Sequence, residues 1–252
     1  MALELITFDV LSDNYGYIIH DTATGATAAI DVGDAAPYRD LLAAKGWALS
    51  DILVTHHHWD HIDGVAALAD ETGARIIGAQ ADAHRLPPLD VAVAPGDIIE
   101  VGSQSAEVLA ADGHTKGHIA FHFADAKMAF TADSLMALGC GRVNPEGSYD
   151  MQFDTLMLLG ALPDDTLICS GHEYGKTNAR FCLEVDPDNP ALQARAADIM
   201  AGKPCTPALL SEEKATNPFL RLADPTIKTH LSLDTADPRA VFAALRDRRN
   251  AF

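Results

Sequence analysis

The residues most able to do chemistry lie together in Thr55-His56-His57-His58-Trp59-Asp60-His61-Ile62-Asp63-Gly64. His56, His58, Asp60 and His61 form the pattern H-x-H-x-D-H, and a loop between a strand and a helix can fold such a run so that its side chains converge from one side. Neutral imidazole and carboxylate are the ligands of zinc, iron or manganese at hydrolytic sites, whereas thiolates dominate structural zinc. Apolar packing offers no reason to gather such groups at the end of a strand. His114 in Asp112-Gly113-His114-Thr115-Lys116-Gly117-His118, Asp133 after KMAFTA and His172 after DTLICSG each follow a strand-like run. Taken singly, an Asp there is usually a cap and a His usually a packed side chain. Their recurrence at the same end of successive strands lets loops bring them to one place. Together these groups exceed the roughly four ligands of one zinc. They suit two metals about 3.5–4 Å apart sharing one carboxylate, which predicts hydrolysis by a bridging hydroxide.

The elements that must position these residues change along the chain. ELITFDVL, YGYIIHD and TAAIDVG read as short strands separated by DNYG and TATGA turns. PYRDLLAAKGW reads as a helix with Pro37 in its first turn, DILVTH as a buried strand entering the histidine loop, and GVAALADETG as a helix closed by Gly73. RIIGAQ, DIIEVG, AEVLAA, IAFHFA and KMAFTA are further short strands, which predicts two packed sheets with helices outside. From about Gly171 the texture becomes helical, in TNARFCLEV, NPALQARAADIMAG, SEEKATNPFLRLA and DPRAVFAALRDRRNAF. The reading is an α/β catalytic domain followed by a small helical one.

At 252 residues, with 48% hydrophobic and 21% charged residues, the composition is that of a globular protein. A formal charge of −18 argues against nucleic acid, which would be repelled. No apolar run approaches the roughly 20 residues that span a bilayer, and MALELITFDVLSDN lacks the basic start of a secretory signal. The expected location is the cytoplasm, with no membrane partner. Cys140, Cys169, Cys182 and Cys205 are scattered, too sparse for a disulfide scaffold and wrongly spaced for a thiolate zinc site, so buried or neutral thiols are expected. Against the acidic background, the C-terminal end holds Arg239, Arg246, Arg248 and Arg249 with a single acid, Asp247.

THHHWDHIDG, GHTKGH, FTAD and GHEY, in this order and at these intervals, resemble the metallo-β-lactamase superfamily. The triple histidine, GCGR, HEY, NPFLR and the basic end are similar to glyoxalase II, the hydroxyacylglutathione hydrolases, and the likeness runs over essentially the whole chain. It implies a four-layer αβ/βα sandwich over residues 1–173, followed by a small α-helical substrate-binding domain over residues 174–252. It places His56, His58 and His114 on the first of two divalent metals, Asp60, His61 and His172 on the second, and Asp133 between them. Zinc is the expected metal, with iron and manganese admitted by the same ligands. His57 matches the motif without being a ligand, His118 is structural, and Asp31, ending TAAIDVG, is a candidate to orient a ligand from behind it. Asp60 is also a candidate for proton movement. The implied reaction is hydrolysis of S-(2-hydroxyacyl)glutathione, for example S-D-lactoylglutathione to D-lactate and glutathione. Arg142, Tyr174, Arg246 and Arg249 fall where the family contacts the glutathione part, whose carboxylates suit the bidentate arginine fork. The alternative for the tail is arginines complementing the negative end of a last helix.

Two departures accompany the likeness. The run Gly141-Arg142-Val143-Asn144-Pro145-Glu146-Gly147 is one residue longer than the family's and lacks its aromatic, and FTADSLM replaces FTGDTLF, with Ala132 for glycine. Three other readings stay open: another hydrolase of this scaffold such as a lactonase, an iron-dependent oxygenase acting on glutathione persulfide, and a non-catalytic metal-binding module. The basic tail and helical region speak against the first, and the complete second ligand set against the second.

Overall fold

The computed structural model describes residues 3–143 and 145–252; Asn144, in the lengthened Arg142–Gly147 loop, lies outside them. The described residues form two compact units. The first runs to Ala111 and includes Lys116–Ala132. In it β1 (Leu3–Val10), β2 (Asn14–Asp21) and β3 (Thr27–Ile30) pair antiparallel, and β4 (Asp51–Leu53), β5 (Arg75–Ala79) and β6 (Val91–Val93) continue the sheet in parallel, in sequence order. The parallel crossovers carry α1 (Ala35–Lys45), α2 (Trp59–Ile62) and α3 (Val65–Thr72). Asp34 caps α1 by accepting from the Ala36 amide, and Gly73 ends α3 in the left-handed conformation at φ 73°.

Tyr38, Leu42, Val65 and Leu68 of these helices pack with Val10, Ile18, Ala29 and Ile52 of the sheet in one buried cluster. Each large side chain so buried contributes about 1.5–3 kcal/mol. The remaining strands of this unit, β7 (Ile98–Val101), β8 (Gln104–Ala110), β9 (Ile119–Phe123) and β10 (Met128–Ala132), form an antiparallel ladder. Tyr17 of β2 meets Phe130 of β10 edge to face, with ring centroids 5.6 Å apart, so the two ladders bury facing surfaces.

The second unit comprises Asp112–Thr115 and Asp133–Phe252. It contains the hairpin β11 (Leu135–Met136) and β12 (Gly139–Cys140), then α4 (Tyr149–Gly160), β13 (Leu167–Ser170), α5 (Gly175–Val185) and α6 (Pro190–Met200). After β14 (Ala208–Leu209), which pairs with β13, come α7 (Leu210–Thr216), α8 (Pro225–Leu231) and α9 (Pro238–Ala251). Asn189, Asp224 and Asp237 cap α6, α8 and α9, each followed by a proline that suits the first helical position.

Two expectations are corrected. Asn14 does not sit in a DNYG turn: it opens β2 and is buried, and the chain reverses over residues 11–13 with Leu11 at φ 54°. The helix α4 has no counterpart in the sequence reading, although Ser148 caps it at the Met151 amide and Leu156 and Leu159 recur on its buried side.

Asp21, at the end of β2, accepts from Thr24 Oγ1 at 2.7 Å, the Ser103 amide at 2.7 Å and Ser103 Oγ at 2.8 Å. These bonds, led by the Ser103 amide, hold its carboxyl well below the usual carboxylate range. A folded pKa below the unfolded one gives stability that is present above the unfolded value and lost as pH falls through the folded one. Asp21→Asn is therefore expected to unfold at lower urea than the parent at pH 7, and to lose less of its remaining stability between about pH 5 and pH 3. Identical pH slopes for the two proteins would contradict this.

Candidate metal centre

In the first unit the parallel strands β3, β4 and β5 end side by side, and the loops beyond them carry Asp31, residues 55–61 and Asp82. This carboxyl end of a parallel sheet is where ligands collect in open α/β folds. Asp31 sits at φ 47°, a left-handed conformation that Asp tolerates. Its Oδ1 accepts from the Thr55 amide at 2.8 Å; its Oδ2 accepts from Thr55 Oγ1 and faces His61 Nδ1, each at 2.8 Å. A proton on His61 Nδ1 satisfies that carboxylate and leaves a lone pair on Nε2, which lies 3.5 Å from Asp60 Oδ2. The same Asp60 oxygen accepts from Asn14 Nδ2 at 2.8 Å. His56 Nε2 and His58 Nδ1 lie 3.2 Å apart, and the rings of His56 and His61 are 4.2 Å apart.

His57, although between two of these residues, points its Nδ1 at Asp82 Oδ2, 2.9 Å away, and the other Asp82 oxygen takes Arg85 Nε. His118 stacks on His56 with centroids 4.6 Å apart, a packing role. Sequence reasoning found Asp31 but missed Asn14 and Asp82. The burial of Asn14 has no signature in its own segment, and Asp82 lies in an ordinary Ala-Asp-Ala-His run.

In the second unit His114 Nε2 and His172 Nε2 each lie 3.3 Å from Asp133 Oδ2, so one carboxylate oxygen faces two imidazole nitrogens. His114 Nδ1 lies 2.7 Å from the Arg142 carbonyl, to which it donates, and Tyr174 stacks flat on the His172 ring with centroids 4.9 Å apart. Gly141 permits this approach: a Cβ there would lie 2.1 Å from the Asp133 carbonyl oxygen and 2.9 Å from His114 Nδ1. The unforeseen α4 steadies both loops, because Gln152 Nε2 donates to the Ser134 carbonyl at 2.8 Å and Thr155 Oγ1 to the Asp112 carbonyl at 2.6 Å. Ala132 adopts φ 42°, a left-handed geometry that glycine takes freely and that strains alanine by about 1–2 kcal/mol. The substitution is absorbed as strain beside Asp133, whose side chain still meets both histidines.

A cavity of about 290 Å³ in this unit is lined by His114, Asp133, Arg142, Tyr174, Arg246 and Arg249, among others. Arg246 is 4% exposed. Its Nη1 donates to the Cys140 carbonyl at 2.8 Å, and Arg249 donates to Asn178 Oδ1 through Nε at 3.2 Å and Nη2 at 3.1 Å. Among the described residues neither pairs with a carboxylate, whereas Arg239 pairs on the surface with Asp150 and Asp154. Burial first, then the charge of Arg246, lowers the pKa of the Arg249 guanidinium. Three arginines and one carboxylate, that of Asp133, line the cavity, so positive charge is in local excess. The four cysteines are buried free thiols, as expected.

Residues 13–172 match the family model of the metallo-beta-lactamase superfamily, and residues 173–252 that of the hydroxyacylglutathione hydrolase C-terminus. A hydroxyacylglutathione hydrolase of Ruegeria pomeroyi is 56% identical, with 100% of each chain covered. One from Jannaschia sp. is 54% identical over 99% of this chain and 98% of its own. The chain belongs to the hydroxyacylglutathione hydrolase family. Among solved structures, ETHE1 from Myxococcus xanthus is similar with a TM-score of 0.66 at 28% identity, covering 100% of this chain and 99% of that one. The metallo-β-lactamase fold with a helical C-terminal region, and the likeness to glyoxalase II read from the motifs, are borne out. The His and Asp clusters of this family member are of the kind that binds metal. No helix among the described residues is long and apolar enough to cross a membrane.

Asp82 has no exposed side-chain surface and holds both His57 and Arg85. Its replacement by alanine is expected to cost about 2–4 kcal/mol in urea unfolding, because two partners lose a buried carboxylate. Adding His57→Asn to Asp82→Ala is expected to cost less than His57→Asn does alone; strict additivity would show that the two side chains are uncoupled.

Proposed function

We propose that this protein acts in the cytoplasm, hydrolysing the thioester of S-(2-hydroxyacyl)glutathiones to a 2-hydroxy acid and glutathione. The observation that carries the reading is the cavity that combines His114 and Asp133 with the buried Arg246 and the half-buried Arg249, neither paired with a carboxylate. Glutathione thioesters bring carboxylates on the peptide and a thioester at its cysteine, a complement to that arrangement. We assign residues 1–173 as the catalytic domain and residues 174–252 as the substrate-binding one.

Two divalent ions fit the donor set. Asp31 and the Arg142 carbonyl engage the Nδ1 atoms of His61 and His114, leaving their Nε2 lone pairs available, and Asp133 already faces two imidazoles. In this assignment His56, His58 and His114 hold one ion, Asp60, His61 and His172 the other, and Asp133 both; zinc is the proposed metal, with iron or manganese suited to the same donors. When bound, such a pair provides a strong nucleophile from water at neutral pH and polarises the thioester carbonyl. The chain's own residues do the rest. Arg249 takes the peptide carboxylate, while Tyr174, Arg246 and the exposed Arg142 line its path. Asp60, oriented by Asn14, accepts a proton. The leaving thiolate needs little acid assistance, since a thiol pKa of about 8.5 is already low.

The test is loss of the thioester absorbance of S-D-lactoylglutathione with purified protein, with and without a chelator. Rapid, chelator-sensitive loss is expected; a metal-loaded protein that leaves the thioester intact refutes glutathione as the handle. Asp133→Ala should abolish metal retention and turnover together, and normal turnover in that variant would sink the two-metal assignment. Arg249→Gln should raise KM about 10- to 100-fold at unchanged metal content, the worth of one charged hydrogen-bonded contact. An unaltered KM would remove Arg249 from the substrate site.

A further inference from the structure

We infer that Arg246 is a positioning residue for the ligand His114, acting through the main chain of residues 140–142. The inference rests on the metal assignment above and gives Arg246 a task distinct from that of Arg249.

The path is short. Arg246 Nη1 donates to the Cys140 carbonyl at 2.8 Å and lies 3.4 Å from the Gly141 carbonyl, while Nε donates to Asn250 Oδ1 at 3.1 Å. The guanidinium carbon lies 5.4 Å from the centroid of the Phe219 ring, which fixes its plane. The next carbonyl along, that of Arg142, accepts from His114 Nδ1 at 2.7 Å, and Gly141 packs directly against the His114 ring. Because peptide planes are rigid, holding the carbonyls of residues 140 and 141 restricts where the carbonyl of residue 142 can point.

The residues before this tripeptide do not share its dependence. The preceding hairpin is held independently: the Leu138 amide donates to Glu213 Oε2, Asn217 Nδ2 to the Gly139 carbonyl, and Asn178 Nδ2 to the Ala137 carbonyl. Where the chain leaves the hairpin, the Cys140 and Gly141 carbonyls therefore lean on Arg246 in a way that residues 137–139 do not. Arg249 makes no such clamp, since its hydrogen bonds end on the Asn178 side chain. Two arginines that look alike in the sequence thus differ in use: Arg246 gives one nitrogen to the main chain behind His114 and another to Asn250 of its own helix, and Arg249 faces the cavity without a main-chain partner.

Loss of the Arg246 clamp frees the Arg142 carbonyl, and with it the tautomer and tilt of the His114 ring. Hydrogen bonds behind a metal-binding histidine are worth about 10- to 100-fold in metal affinity. The experiment titrates metal-free protein with Zn²⁺ against a chromophoric chelator, and separately measures kcat and KM on the loaded enzyme. Arg246→Met is expected to weaken one of the two zinc affinities about 10-fold and to lower kcat. Arg246→Lys, which keeps a charged donor, should recover part of both losses, and Arg249→Met should keep parent zinc affinity and raise KM alone. Arg246→Met with parent zinc affinity and kcat, changed only in KM, overturns the inference. If thermal unfolding shows Arg246→Met to be misfolded, Arg246→Lys decides: a single ammonium cannot reproduce the fork, so parent zinc affinity in that variant overturns the inference too. The zinc titration contains no substrate, so a wrong choice of thioester leaves its result standing.

Discussion

A fixed acceptor for one nitrogen of an imidazole decides which nitrogen keeps its lone pair and where that lone pair points. Much of this structure follows from that constraint. His61 is served by Asp31, and His114 by the carbonyl of Arg142. Asp31 must itself be immobile, and it is tied by the Thr55 amide and hydroxyl and by its place where β3 ends beside β4. Tyr38, buried in the helix layer, donates its hydroxyl to the Asp31 carbonyl, so the hydrophobic packing of α1 reaches the back of the site. Burial, and then the Asp31 charge, push the pKa of this phenol up.

The second unit solves the same problem with different materials. Its ligand loops rest on helix side chains: Gln152 and Thr155 of α4 hold the carbonyls beside Asp133 and His114. Behind the hairpin, Glu213 is fully buried and pairs with Arg195 while accepting from the Leu138 amide and from Asn217. A buried ion pair is no guarantee of stability, but one whose remaining oxygen is bonded to a loop amide fixes that loop's position. The basic C-terminal helix enters here as well. Arg246 and Arg249 line the cavity beside the hairpin in a chain of formal charge −18, and among the described residues neither pairs with a carboxylate. Net charge therefore says little about what this cavity attracts; the local excess of guanidinium does.

The sequence by itself determined the candidate metal-binding side chains, their order and the family, because only a few side chains can bind a hydrolytic metal and their spacing follows strand ends. Helix ends were legible for a similar reason: the Asn-Pro and Asp-Pro starts and the closing Gly73 act within a few residues. Asn14 holding Asp60, Asp82 holding His57, and Arg246 holding the Cys140 carbonyl were decided only by the tertiary structure. These bonds join residues 46, 25 and 106 positions apart. α4 was missed although its cap was present, since its task is to steady two loops that lie before it in the chain. A ligand announces itself by its chemistry, but the group that fixes the ligand can be any donor or acceptor, and only the folded chain says which one stands behind it.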